Sequence, residues 1–186
     1  LDTPQLHLAD TISAGAGLVD EEAARVLCTE APARIQDLVR YGVAFDSLGS
    51  EVALGREAAH SHSRILHAGG DRTGAEIETA LSAAAGAPAI TVLDYTLATE
   101  LLLGRGRVTG VRALNLQSGE DETYESEHIV LATGGAGRLF SHTTNPEVAT
   151  GDGISLAFDA GAEIADIEFY QFHPTALRVD GAPPFL

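Results

Sequence analysis

Apolar residues recur every three or four positions in the segment that follows Asp20, which is the spacing of one helix face. Acidic residues open this segment and Gly42 closes it, as the charge preference of helix ends requires. Pro32 lies inside the pattern and predicts a kink or a division, because proline removes a backbone donor. The spacing therefore predicts a helix over 20–42 with a buried stripe of Ala24, Leu27, Ala31, Ile35 and Leu38.

Two further segments carry helix signals. Thr73 and Glu76 match a capping box, in which a threonine caps the helix and a glutamate three positions later returns a hydrogen bond. This match predicts a helix that begins with Thr73 as its cap. The segment 150–163 predicts a loop that leads into a helix, with Ile154, Ala157 and Phe158 facing inward.

Short apolar runs between these helices predict strands. Glycine-bearing turns separate three of the runs, and they predict an antiparallel meander over 98–103, 108–116 and 122–126. The continuous apolar run that follows predicts a parallel strand covered on both faces. It covers 128–133, and three shorter strands are predicted at 43–46, 89–93 and 164–169. Such alternation of helices and strands is typical of an α/β layered domain.

Composition excludes several classes of protein. The 186 residues, 45% of them hydrophobic and 20% charged, are enough for one domain with a real core. The net charge of −16 argues against nucleic acid and anionic membrane as partners, since the field repels phosphate. The chain has no apolar run close to the roughly 20 residues of a membrane span. Cys28 is the single cysteine, so an internal disulfide framework is excluded.

The first candidate binding site is the turn Thr133-Gly134-Gly135, which follows the apolar run at 128–133. Glycines there let the backbone approach a ligand at the carboxyl edge of a sheet, where α/β proteins bind cofactors. A plain turn with convenient glycines explains the same residues. The chain contains no GxGxxG, so a complete dinucleotide fingerprint is absent.

Two more candidates lie towards the end of the chain. Asp152, between two glycines and just before a helix, can accept a hydrogen bond from a ribose or a cofactor amide; alternatively it is a simple N-cap. Gln171 and His173 stand among aromatic residues, and Pro174 favours an extended backbone at His173. An imidazole held in this way can donate to a substrate carboxylate or exchange protons, although a structural histidine is the alternative.

The polar stretch 56–74 contains three histidines, arginines and Glu57. A metal site is discounted, because no zinc-finger or HExxH spacing is present. The mixture better suits a polar substrate pocket in which Glu57 pairs with an ammonium group, while Arg56, Arg64 and the histidines attract carboxylates. A solvated surface loop remains the alternative.

Four blocks in this order resemble the flavoprotein family of succinate dehydrogenase, fumarate reductase and L-aspartate oxidase. They cover most of the chain: ADTISAGAGLVD, REAAHSHSRILHAGGDRTG, VLATGGAGRLFSHTTNPEVATGDGISLAFDAGA and IEFYQFHPTAL. The HSHSRILHA stretch and the TTNP of residues 143–146 are most similar to the aspartate-oxidising branch.

The resemblance implies an FAD cofactor and an incomplete α/β domain, Rossmann-like with a β-meander, that lacks the amino-terminal dinucleotide motif and the capping domain. Residues 1–177 would be the central part of the FAD-binding domain, and 178–186 would begin the capping domain. By the same likeness, the cofactor would contact Leu97, Ala98, Thr133, Gly134, Gly135 and Asp152, and the substrate would contact Glu57, Gln171 and His173.

The implied reaction is oxidation of L-aspartate to iminoaspartate, with oxygen or fumarate as electron acceptor, as the first step towards quinolinate and NAD. The resemblance also implies a cytoplasmic enzyme and quinolinate synthase as a partner, and it leaves the oligomeric state open. The alternatives are a fumarate reductase or succinate dehydrogenase flavoprotein, or a non-catalytic remnant of the fold. The family's catalytic arginine would lie beyond residue 186, so this stretch alone is expected to be inactive.

One departure from the family pattern affects Glu57. The family commonly has two glycines after this glutamate, whereas this chain has Ala58 and Ala59. If these positions need a positive φ, each alanine costs about 1 kcal/mol and shifts the loop.

Overall fold

The computed structural model describes residues 2–70 and 72–172. The chain divides after Val92 into two compact units, which are described separately below. Within the described residues, no helix combines the length and apolar character that crossing a membrane requires.

Two packed helices form the start of the first unit. Helix α1, Pro4–Ala14, is capped by Thr3, whose Oγ1 accepts a hydrogen bond from the Leu6 amide at 3.2 Å. Helix α2, Glu21–Arg40, is capped by Asp20, whose Oδ1 accepts from the amides of the second and third residues after it, each at 3.0 Å. The predicted helix is confirmed, whereas a division at Pro32 is wrong, because α2 continues through that residue.

The buried face of α2 is narrower than its apolar pattern predicts. Ala24 and Cys28 are buried, and the Cys28 Sγ lies 3.7 Å from the Thr11 Oγ1 on α1. Leu27, which was predicted to be buried, is 64% exposed. Helix α1 packs against α2 and contacts it at Cys28. The buried apolar residues of this unit are Ala24, Cys28, Val43 and Ala68.

Four two-residue strands follow in two antiparallel pairs. Strand β1, Ser47–Leu48, pairs with β2, Glu51–Val52, and β3, Leu54–Gly55, pairs with β4, Ile65–Leu66. The strand predicted at 43–46 is wrong, because pairing begins only at Ser47. Asp46 serves instead as an acceptor, and its carboxylate binds the amides of Gly69 and Gly70, each at 3.0 Å.

Helix α3, Thr73–Ala85, is confirmed, but its predicted capping box is wrong. Thr73 is already helical, and its Oγ1 accepts from the Ala68 amide at 3.1 Å. The cap position is Arg72, which forms no side-chain cap bond. The hydroxyl therefore stabilises the loop before the helix, where a buried amide needs a partner.

The second unit is built on the predicted meander, which is confirmed. Its three antiparallel strands are β5, Thr96–Gly104; β6, Arg107–Asn115; and β7, Asp121–Glu125; they lie in this order in one sheet. Arg105 and Gly106 both have positive φ, 52° and 78°, as the tight turn between β5 and β6 requires. Helix α4, Asp152–Asp159, packs against β5.

Three predicted strands are wrong. Residues 89–93, 128–133 and 164–169 form no ladder, and Val130 is 88% exposed. A parallel strand forms only against a neighbouring strand, and the described residues provide no partner for these segments. The apolar side chains of these segments therefore lack the burial between layers that the pattern predicts.

Helix α4 is confirmed, but it buries a different face from the one predicted. Gly153 and Leu156 are buried, whereas Ile154 is 38% and Phe158 is 66% exposed. The orientation follows from close packing at Gly153, where an added Cβ would overlap the Thr133 hydroxyl.

Gly110 provides a test of the meander's packing. A Cβ at this position in β6 would lie 2.5 Å from the Tyr124 carbonyl oxygen, which is backbone and cannot move alone. We expect Gly110→Ala to lower the free energy of unfolding by about 1–3 kcal/mol, measured by urea denaturation. Gly74→Ala is the control, since a Cβ there meets nothing within 4 Å. Equal stability of both variants would contradict the close β6–β7 approach.

Candidate functional site

Arg64 joins helix α1 to the loop that carries Glu57. Its Nε and Nη2 donate to the two Asp2 oxygens at 2.8 and 2.7 Å, and its Nη1 donates to the Asp10 Oδ2 at 2.6 Å. The Arg64 side chain is only 7% exposed. Asp2 and Asp10 thus match its charge, so Arg64 does not provide the free positive charge that the sequence predicted for attracting substrate carboxylates.

These contacts shift the pKa of each partner in the direction of the charged form. The Ser61 amide, and after it Arg64, holds the pKa of Asp10 well below its ordinary value. The hydrogen bond from Arg64 likewise lowers the pKa of Asp2, and the Asp2 carboxylate is the first cause of a raised pKa at Arg64. The three side chains therefore remain ionised at neutral pH.

The turn from Glu57 to His60 is held on both sides. The His60 amide donates to the Glu57 carbonyl at 3.3 Å, and the Arg56 Nε donates to the His60 carbonyl at 2.9 Å. The amide and the hydroxyl of Ser61 both donate to the Asp10 Oδ2 at 2.8 Å. The turn is therefore tied to helix α1 through a single carboxylate oxygen.

Two histidines lie beside this turn. The His7 ring on α1 is 5.5 Å from the His60 ring, centroid to centroid. Burial first, and the charge of Arg64 next, lowers the pKa of His7. The Arg64 Nη1 also lies 2.9 Å from the His60 Nδ1, which must accept because an arginine only donates.

The Glu57 carboxylate is open to a ligand. Its side chain is 61% exposed, and its Oε1 lies 3.8 Å from the His67 Nε2. No other ion pair of Glu57 is present in the described part of the chain. An exposed carboxylate on a fixed turn is a suitable acceptor for an ammonium group.

In the second unit, the glycine turn presents bare backbone. Gly134 has a φ of +73°, and a Cβ on either Gly134 or Gly135 would meet nothing within 4 Å. The Gly151 amide donates to the Gly135 carbonyl at 3.2 Å, so the turn sits against the start of α4. A ligand can therefore approach this backbone directly, beside the positive end of a helix.

Asp152 lies at that same helix end. It is the first residue of α4, it is exposed, and its Oδ2 accepts from the Thr150 hydroxyl at 2.6 Å. The alternative role of Asp152 as the N-cap is wrong, since Gly151 holds the cap position and the helix has no side-chain cap bond. Leu97 and Ala98 lie on β5, the strand against which α4 packs.

An aromatic cluster lies beside Gln171. The Phe140 ring lies 4.9 Å from Tyr170 and 5.0 Å from Phe172, which flank Gln171 in sequence. Gln171 and His142 line one cavity of about 200 Å³. His173 lies outside the described residues.

The structure thus places Thr133, Gly134, Gly135 and Asp152 around the start of α4 in the second unit. Leu97 and Ala98 lie on the strand against which α4 packs, and Gln171 lies beside the aromatic cluster of Phe140 in the same unit. Glu57 lies in the first unit. Sequence reasoning missed Asp10 and Ser61, although Asp10 lies in the first of the four resembling blocks. In the part of the chain that is described, no group of three or more His, Cys, Asp or Glu side chains could hold a metal ion.

Comparison with known proteins gives consistent matches. The profile of the FAD binding domain family matches residues 1–185. The L-aspartate oxidase of Streptomyces coelicolor is 48% identical over 95% of this chain and 31% of its own length. That of Synechocystis is 45% identical over 100% of this chain and 34% of its own length. The chain therefore spans about a third of these curated relatives.

Solved structures share the same fold. The quinol fumarate reductase of E. coli superposes with a TM-score of 0.90, at 28% identity, and the match covers 100% of this chain and 31% of that one. Sdh1 of Mycobacterium smegmatis superposes with a TM-score of 0.77, at 32% identity, over 86% of this chain and 29% of that one.

Ala59 allows a test of the Glu57 turn. Ala59 has a φ of +68°, whereas Ala58 is not among the residues of positive φ. Since an L-residue in the left-handed region is strained, we expect Ala59→Gly to raise the free energy of unfolding by about 1 kcal/mol, measured by urea denaturation. Ala58→Gly is the matched control and should lower it by about 0.5–1 kcal/mol. Destabilisation by both variants would contradict the strained turn.

Proposed function

Since the chain belongs to the FAD binding domain family, we propose that residues 1–177 form the central part of the FAD-binding domain of an FAD-dependent L-aspartate oxidase, and that 178–186 begin the capping domain. The predicted resemblance to this flavoprotein family is confirmed, as is the α/β FAD-binding fold with its β-meander. Residues 178–186 lie outside the described part of the chain.

The second unit fits an FAD cofactor. Next to Thr133, Gly134 and Gly135 present backbone without side-chain cover, and Asp152 supplies an exposed acceptor at the helix end. We assign these residues, with Leu97 and Ala98 on β5, to cofactor binding. Bound FAD supplies the acceptor for the hydride that leaves the substrate Cα.

The protein's own side chains bind and orient the substrate. Glu57 accepts hydrogen bonds from the ammonium group, which fixes one end of L-aspartate. Gln171 and His173 hold a substrate carboxylate. Transfer of one ammonium proton to a base and of a hydride from Cα to the flavin would yield protonated iminoaspartate, so the substrate must be fixed with Cα towards the cofactor.

The observation that carries this proposal is similarity across nearly the whole chain. The curated relatives named L-aspartate oxidase share more residues with it than the fumarate reductase and Sdh1 structures do. The exposed Glu57 carboxylate supports the same choice, because aspartate has an ammonium group and succinate has none.

The wider role follows from this activity. We propose that oxygen or fumarate takes up the electrons, that the product feeds quinolinate and NAD biosynthesis in the cytoplasm, and that quinolinate synthase is a partner. A succinate dehydrogenase or fumarate reductase flavoprotein is the second candidate, favoured by the fold of the solved relatives. A non-catalytic remnant would lack flavin in the purified complete protein.

Glu57→Gln tests the ammonium contact in the complete protein. Loss of a charge-assisted hydrogen bond should lower kcat/KM for L-aspartate by about tenfold or more. The inhibition constant of succinate, which lacks an amino group, should stay within about twofold of the original value, because no contact to it is lost. Equal losses for both compounds would contradict the contact.

Asp152→Ala tests the cofactor site. Removal of the carboxylate should weaken FAD retention while the fold stays intact, since Asp152 is exposed and caps no helix. Flavin released on dilution, followed by its fluorescence, measures retention, and circular dichroism checks the fold. Unchanged retention would remove Asp152 from the site.

A further inference from the structure

We propose that Asp10 is a positioning residue for Glu57, which it holds in place from helix α1 through Ser61 and the Glu57–His60 turn. This role rests on the proposed function, because it is exerted on the contact between Glu57 and the substrate ammonium group. The side-chain contacts of Asp10 are with Ser61 and Arg64, and the proposal assigns it no contact with substrate or cofactor.

The proposal first depends on three hydrogen-bond donors that share one oxygen of Asp10. The Asp10 Oδ2 accepts from the Ser61 amide and hydroxyl, each at 2.8 Å, and from the Arg64 Nη1 at 2.6 Å. All three bonds are charge-assisted, since the acceptor is an ionised carboxylate. An asparagine at position 10 keeps the shape of the side chain but weakens every one of them.

The second step runs from Ser61 back to Glu57. Ser61 follows His60, whose amide donates to the Glu57 carbonyl at 3.3 Å. Arg64, itself bound to Asp10, also donates to the His60 Nδ1 at 2.9 Å. The far end of the turn is thus attached to α1 at two points that share the Asp10 oxygen.

The third step concerns strain. Ala59, inside the turn, has a φ of +68°, a conformation that an alanine leaves unless its neighbours hold it. The Glu57 side chain is 61% exposed and meets only the His67 ring, at 3.8 Å, among the described ion pairs. The direction of the Glu57 carboxylate therefore depends on the backbone turn, and the turn depends on Asp10.

Asp2 is the matched control. It binds Arg64 through two hydrogen bonds, at 2.7 and 2.8 Å, so Asp2→Asn also removes a carboxylate from the same guanidinium. Unlike Asp10, Asp2 donates or accepts no hydrogen bond with Ser61 in the described structure. A difference between the two variants therefore reports the Ser61 connection and not the neutralisation of Arg64.

The test uses the complete, FAD-loaded protein and four variants: Asp10→Asn, Asp2→Asn, Glu57→Gln and the double variant Asp10→Asn/Glu57→Gln. We expect Asp10→Asn to raise the KM for L-aspartate about fivefold, with kcat within about twofold. The succinate inhibition constant should not change. Asp2→Asn should leave the KM unchanged.

Two readouts separate positioning from a general loss of stability. Hydrogen exchange at the Ser61 amide should be about tenfold faster in Asp10→Asn than in Asp2→Asn, because only the former loses that acceptor. In the double variant, the KM should equal that of Glu57→Gln alone, because Asp10 acts through Glu57. Adding Ala59→Gly to Asp10→Asn should lower the raised KM part of the way back to the original value, since the glycine removes the strain at position 59.

Additive effects of Asp10→Asn and Glu57→Gln on KM would overturn the role of Asp10 and leave the Glu57 contact intact. Equal losses of aspartate and succinate binding in Glu57→Gln would instead overturn the ammonium contact, and the role of Asp10 with it. If Asp10→Asn does not fold, Ser61→Ala removes one of the three donors and must raise the KM in the same direction. An unchanged KM in Ser61→Ala would then overturn the proposal.

Discussion

The paired carboxylates around Arg64 are the constraint on which the first unit depends. Arg64 is nearly buried, and a buried guanidinium is tolerated only when its charge is matched and its donors are used. Asp2 and Asp10 meet both requirements. Moving the Arg64 side chain away from them would therefore leave its own charge and both carboxylates without partners. This arrangement fixes the loop and leaves attraction of an anionic substrate to other groups.

The second unit relies on backbone where the first relies on charge. Gly153 allows α4 to approach Thr133, and Gly134 and Gly135 expose their amides without side-chain cover. The result is a helix end, a bare turn and an acidic acceptor in one unit, which suits a large cofactor that carries both phosphates and hydrogen-bonding rings. The proposed cofactor contacts therefore lie in one unit and the proposed ammonium acceptor in the other.

Local rules were enough to predict helices α2, α3 and α4 and the meander, but not helix α1 or the contacts between the elements. Helix α2 and the turn at Gly106 are read from neighbouring residues, and both form, although α2 buries a narrower stripe than its pattern predicts. Thr73 was misread, because a hydroxyl that matches a cap also serves a loop amide. The run containing Val130 has strand composition without a partner strand. The bond between Ser61 and Asp10 spans 51 positions, which no periodicity reveals.

A crystal structure of the complete protein with bound L-aspartate would test the central claim most directly. The account predicts that the Glu57 carboxylate lies at hydrogen-bonding distance, about 2.7–3.2 Å, from the substrate nitrogen, while Ser61 remains bound to Asp10. An ammonium group directed to a different side chain, with Glu57 turned into solvent, would contradict it.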